Sequence, residues 1–173
     1  MTSNYRLNLA LRKNKGKSRR NEIKSEAGRL FDLPEDDIVF CDLETTDSIQ
    51  AFLRKNRKKN DCFYKEFSDS RIGELKNTLE ILQGMNEHPQ LLLSYKNGLQ
   101  DYCGFIKIDG KTVLKGAVDF VRNTQSALYA ESEDGATGFS LEADNGQHYD
   151  EGNNTWQFEC WGIYGKVLTG GKP

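Results

Sequence analysis

Apolar and polar positions change their period once along this chain, near residue 90. Before that point, Tyr5, Leu7, Leu9 and Leu11 alternate with Arg6, Asn8 and Arg12, and this period-two pattern predicts a short strand with one buried face. The run Asn14-Lys15-Gly16-Lys17 breaks it. Ser18 then caps a predicted helix on which Ile23, Ala27, Leu30 and Phe31 fall at helical spacing. Asp32-Leu33-Pro34 ends that helix, because the residue before a proline is pushed out of the α region. Ile38 to Cys41 is a short apolar run suited to a buried strand. A second helix starts at Asp47 or Ser48, with Ile49, Phe52 and Leu53 as its apolar stripe, and closes in the basic run 54–60. A third, over about 70–85, carries Ile72, Leu75, Leu79 and Leu82 at the i, i+3, i+4 spacings of a one-sided helix.

From Gln90 the pattern shortens. Leu91 to Tyr95 reads as a strand turned by Asn97-Gly98. Tyr102 to Ile108 and Thr112 to Leu114 flank Asp109-Gly110, a strong hairpin signal because both residues tolerate positive φ. A short helix is expected over Gly116 to Asn123. A second hairpin joins Ser126 to Glu131 with Thr137 to Ala143 around Asp134-Gly135, which sets Glu131 across from Glu142. Thr155 to Tyr164 forms a last strand, with Trp156, Phe158, Cys160 and Gly162 on one face and Gln157, Glu159 and Trp161 on the other. Helices early and antiparallel hairpins late define an α+β class, with N-terminal helices packed on a mostly antiparallel sheet built largely from C-terminal hairpins. One domain spans 1–173, divided into a helix-rich basic half (1–88), a strand-rich acidic half (89–168) and a short flexible tail (169–173).

Composition supports a folded single domain. The chain has 173 residues, of which 36% are hydrophobic and 29% charged; nine Phe, seven Tyr and two Trp set it apart from a disordered chain. The absence of a run of about 18 apolar residues predicts no membrane span, and the charged opening residues predict no secretory signal. Cys41, Cys62, Cys103 and Cys160 offer neither a CxxC pair nor a compact disulfide framework, as expected of reduced thiols in a cytoplasmic protein.

The formal net charge is only −2, yet the signs are segregated. Residues 1–30 hold nine Lys and Arg against Glu22 and Glu26, a net of +7. Residues 116–164 hold Arg122 alone against Asp119, Glu131, Glu133, Asp134, Glu142, Asp144, Asp150, Glu151 and Glu159, a net of −8. Such asymmetry concerns partners and association rates rather than fold.

Catalytic chemistry finds little to stand on. His88 precedes a proline, and His148 lies in the polar loop 145–154, where it reads as a solvated residue or, beside Asp144, Asp150 or Glu151, as a general base or a metal ligand. The chain carries no HExxH, no Cys/His ligand cluster, no EF-hand ordering, no GxxxxGK[ST] and no GxGxxG. Neither an enzyme, a metal nor a cofactor is therefore expected. The basic runs 12–20 and 54–59 suggest an alternative reading as a nucleic-acid-binding or regulatory domain, with Arg19, Arg20, Arg57, Lys58 and Lys59 on phosphates. No RNP-type aromatic motif or zinc finger accompanies them.

The acidic third is also aromatic: Tyr129, Phe139, Tyr149, Trp156, Phe158, Trp161 and Tyr164 lie within it. Strand alternation sends about half inward and leaves the others ringed by carboxylates, a surface suited to a basic protein partner. The stretch Ser126-Ala-Leu-Tyr-Ala-Glu-Ser-Glu-Asp-Gly-Ala-Thr-Gly-Phe-Ser-Leu-Glu142, followed by Trp156-Gln-Phe-Glu-Cys-Trp-Gly162, resembles the hairpin-rich acidic ends of bacterial immunity proteins of contact-dependent growth inhibition and other polymorphic toxin systems. The likeness spans residues 90–165 and lies in general character, so it carries over no binding residue position by position. It implies a cytoplasmic, non-enzymatic inhibitor of one cognate toxin domain, for which a basic nuclease is the candidate. The acidic, aromatic pattern itself puts Glu131, Glu133, Asp134, Asp144, Asp150 and Glu151 forward for charge complementarity, and Tyr149 and Trp161 as anchors.

Overall fold

A computed structural model describes residues 3–57, 61–84, 90–95, 98–133, 137–144 and 156–164, with the backbone alone at residues 3, 56–57, 61–63, 83–84, 95 and 161–164. Helix α1 (Ser3–Phe31) leads through a 3-10 turn, Glu35–Asp37, to β1 (Val39–Phe40) and α2 (Leu43–Arg57). Strand β2 (Asp61–Ser68), a second 3-10 turn and α3 (Ile72–Gly84) follow. The chain then forms β3 (Gln90–Tyr95), α4 (Gln100–Cys103), β4 (Ile106–Asp109), α5 (Gly110–Thr124), β5 (Leu128–Glu131), β6 (Thr137–Asp144) and β7 (Gln157–Tyr164). The strands make one antiparallel sheet in the order β1-β4-β3-β5-β6-β7-β2. The fold is α+β, with the N-terminal helices packed against the sheet.

The main core lies between one sheet face and α1, α3 and α5. It contains Leu75, Leu79 and Leu82 of α3, Val113, Ala117, Phe120 and Val121 of α5, and Leu91, Leu93, Leu128, Ala130, Phe139, Leu141, Phe158 and Cys160 of the strands. Alternate strand residues thus point into this layer, as the period of two requires. Phe31 of α1 stacks on Phe120 of α5, with centroids 5.5 Å apart. A smaller cluster on the opposite face, Cys41, Leu53, Leu92 and Phe105 with Ile49 beside them, holds α2 over the β3–β4 side of the sheet.

The chain departs from the sequence pattern in several places. Residues 5–11 belong to α1, not to a strand. The inward stripe of that helix includes Leu9, Arg12, Gly16, Arg20, Ile23, Ala27 and Phe31, so polar residues and a glycine occupy its middle while Leu7 and Leu11 stand 62% exposed. Arg12 is drawn inward by a two-pronged pair with Asp47 of α2 (2.8 and 2.9 Å) and a bond to the Asp101 carbonyl at 2.6 Å. Gly16 lets α1 touch α4: a Cβ there would collide with the Tyr102 carbonyl oxygen.

Asp109-Gly110 makes no hairpin. Asp109 caps α5, its carboxylate accepting from the Thr112 backbone N–H at 3.1 Å, and the helix expected only from Gly116 begins at Gly110. Helix α2 starts earlier than Asp47 for the same reason, since Asp42 accepts from the Thr45 N–H at 2.8 Å and its hydroxyl at 2.7 Å. Strand β2 had no clear apolar alternation because Lys65 occupies a core-side position; its ammonium lies 4.9 Å from the Phe67 ring centroid and reaches Glu74 at 3.7 Å.

Candidate docking face of the sheet

Strand β2 lies far from the C-terminal strands in sequence but pairs with β7 along eight residues. That pairing builds a surface from both halves of the chain. On the face away from the main core, register sets Tyr64, Ser140, Tyr129 and Ser94 in one row across β2, β6, β5 and β3, with Trp161 as the backbone partner of Tyr64 and Ser140 on β7. The next row is Glu66, Glu159 and Glu142, each directly opposite its neighbour, and the row beyond holds Ser68, Gln157 and Asp144.

All three glutamates are exposed, and among the described residues none of them forms an ion pair with lysine or arginine. No lysine or arginine occupies a position of β2, β7, β6 or β5 on this face. Directly opposed side chains in an antiparallel pair have Cβ atoms about 4.5–5.5 Å apart, close enough for like charges to repel. The aromatic row borders the acids and engages them: the Tyr64 hydroxyl donates to Glu66, and the Tyr129 hydroxyl to Glu142 at 3.5 Å. The bond to Glu66 is the main cause that pushes the Tyr64 phenol up to about 12, with the Glu159 charge adding to it.

At its β3–β5 end the face runs into a cavity of about 170 Å³ beneath α2. Leu53 and Arg54 of α2, Leu92 and Ser94 of β3, Phe105, and Tyr129 and Glu131 of β5 help to line it. Glu131 is only 7% exposed and stands opposite Gly138 on one side and Leu92 on the other; the pairing with Glu142 expected from the hairpin pattern does not occur, because the register places Leu128 against Leu141.

The other residues singled out in the sequence separate into groups. Glu133 is exposed and pairs with Lys107 of β4, which raises the lysine above its ordinary value through that hydrogen bond. Asp144 is exposed at the end of β6, and the backbone of Trp161 pairs with Tyr64 on β2 and Ser140 on β6. Asp134, Tyr149, Asp150 and Glu151 lie outside the described residues, as do His88, His148, Lys58 and Lys59. Of the basic candidates, Arg19 is exposed, and Arg57 closes α2. Arg20 is turned inward: its guanidinium donates twice to the Cys103 carbonyl, at 2.8 and 3.1 Å, and lies over the Phe40 ring. Tyr64 and Glu66 are members of the face that the sequence pattern missed, since they sit on a strand without a clear apolar signal, and Glu142 and Glu159 entered the sequence reading through net charge and strand pattern rather than as contact residues.

Among the described residues, no group of three or more His, Cys, Asp and Glu is arranged to hold a metal ion. No helix among them is long and apolar enough to cross a membrane. Comparison of the chain with protein-family models, curated proteins and solved structures finds no match.

Proposed function

We propose that this protein is an immunity-type inhibitor that acts in the cytoplasm by docking its acidic, aromatic sheet face on a basic toxin domain, with no chemistry of its own. The observation that carries this reading is the in-register row Glu66–Glu159–Glu142, exposed, with no ion pair to lysine or arginine among the described residues and bordered by Tyr64 and Tyr129. Opposed like charges weaken a sheet, and a cationic surface placed over them would relieve that repulsion. Aromatic side chains beside the acids would supply buried contact area, while the carboxylates would accelerate encounter. The resemblance of residues 90–165 to immunity proteins points the same way. A nuclease, whose own substrate is a polyanion, is a partner of fitting charge.

The direct test asks whether the gene immediately upstream encodes a large protein with a variable C-terminal domain, and co-expresses that domain with this chain. The expected result is restored growth of cells producing that domain and a stable one-to-one complex on purification. Absence of both, with the two proteins soluble, would overturn the proposal.

A further inference from the structure

We infer that the cavity beneath α2 seats a lysine or arginine side chain of the docking protein, with its cationic head at Glu131. The inference rests on the docking reading, because the cavity and the acidic face share a wall: Tyr129 lines the former and bonds Glu142 of the latter. A side chain projecting from a protein laid over the glutamate row therefore meets the opening.

Size and lining both select such a group. At about 170 Å³ the space is smaller than the roughly 300–1,000 Å³ of sites for free small molecules. Leu53, Leu92 and Phe105 offer apolar surface to a methylene stem, and Tyr129 offers a ring face to a cation. Glu131, 7% exposed, brings a carboxylate with about four acceptor positions, so it can take a further donor alongside an existing contact. Arg54, exposed on the lining, opposes the entry of a bare cation from bulk water. A cation carried on a polypeptide brings carbonyls that the Arg54 guanidinium can bind.

The probes are N-acetyl-lysine N-methylamide and N-acetyl-arginine N-methylamide, titrated into the intact protein while the amide signals of Tyr129 and Glu131 are followed by NMR. Saturable shifts are expected with Kd on the order of 1–10 mM. Binding should fall at least tenfold for the uncharged N-acetyl-norleucine N-methylamide and for Glu131→Gln. Should Glu131→Gln unfold, Ser94→Leu crowds the cavity without touching the carboxylate and should abolish the shifts. Equal binding of the norleucine probe, or tighter binding of free alanine with its carboxylate on Arg54, overturns the inference. The probe titration reads the cavity alone, whereas toxin association reads the glutamate row, so failure of the cavity and failure of the docking face give different results.

Discussion

Glu66 and Glu159 stand directly opposite each other on β2 and β7, with Glu142 in line on β6, and no basic side chain shares their face of those strands. Each opposed pair of like charges subtracts from sheet stability, by roughly 0.2–1 kcal/mol. Replacing the middle member removes both repulsions at once. Glu159→Gln should therefore raise the thermal midpoint by about 1–4 °C at low ionic strength, and by less in high salt, where the repulsion is screened. Calorimetry at two salt concentrations checks this; an unchanged or lower midpoint would mean the carboxylates do not feel one another.

The phenol of Tyr64 reports on the same cluster. Its hydrogen bond to Glu66 favours the protonated form, which holds its pKa at about 12. A group raised above its unfolded value of about 10 adds stability that is fully present below pH 10 and lost as pH rises through 12. In Glu66→Gln, difference absorbance titration should show one tyrosine ionising at lower pH than in the parent. Superimposable titration curves would remove that interaction from the account.

Arg12 ties α1 to α2 through Asp47. The guanidinium hydrogen bond is the leading cause that lowers the Asp47 carboxyl. A depressed carboxyl adds stability that is present above the ordinary value of about 3.9 and lost as pH falls through the lower folded value. Arg12→Ala should cost about 1–2 kcal/mol at neutral pH, discounted for the partial exposure of both groups. The deficit should shrink below about pH 4, where the parent loses the same contribution. Denaturant midpoints across pH 3–7 measure it.

Gly16 offers a test in which two effects oppose each other. Alanine is the better helix former by about 1 kcal/mol, so an exposed position would gain from Gly16→Ala. Here the added methyl meets the Tyr102 carbonyl of α4, and overpacking of that kind costs roughly 1–3 kcal/mol. The variant should therefore be less stable than the parent by denaturant unfolding. A gain would show that α1 and α4 separate readily.

How far the fold could be read from residue order depended on whether burial was apolar. Helix α3 was legible because Ile72, Leu75, Leu79 and Leu82 make its stripe, and β6 and β7 because Phe139, Leu141, Phe158 and Cys160 alternate cleanly. The first turns of α1 were not, since the helix turns half-buried Arg12 and buried Gly16 inward and exposes Leu7 and Leu11, so hydrophobicity pointed to the wrong face. Asp109-Gly110 is ambiguous in principle: an aspartate can open a turn or cap a helix, and the stripe Val113, Ala117, Phe120 and Val121 that follows decides for the cap. The acidic character of the face was visible in residues 126–164. Its geometry was not, because Tyr64 and Glu66 reach it through the long-range pairing of β2 with β7, and local periodicity carries no signal of that pairing.

The most direct test of the docking reading is the association rate with the upstream-encoded toxin domain, followed by stopped flow over a range of salt for the parent and for Glu66→Gln/Glu142→Gln/Glu159→Gln. The three glutamates are exposed, so the variant is expected to keep the fold while losing three charges. The parent rate should drop by at least tenfold between about 0.05 and 0.5 M salt, whereas the variant should bind several-fold more slowly at low salt with a much flatter dependence. Identical rates and identical salt slopes for the two proteins would contradict the assignment of this face as the docking surface.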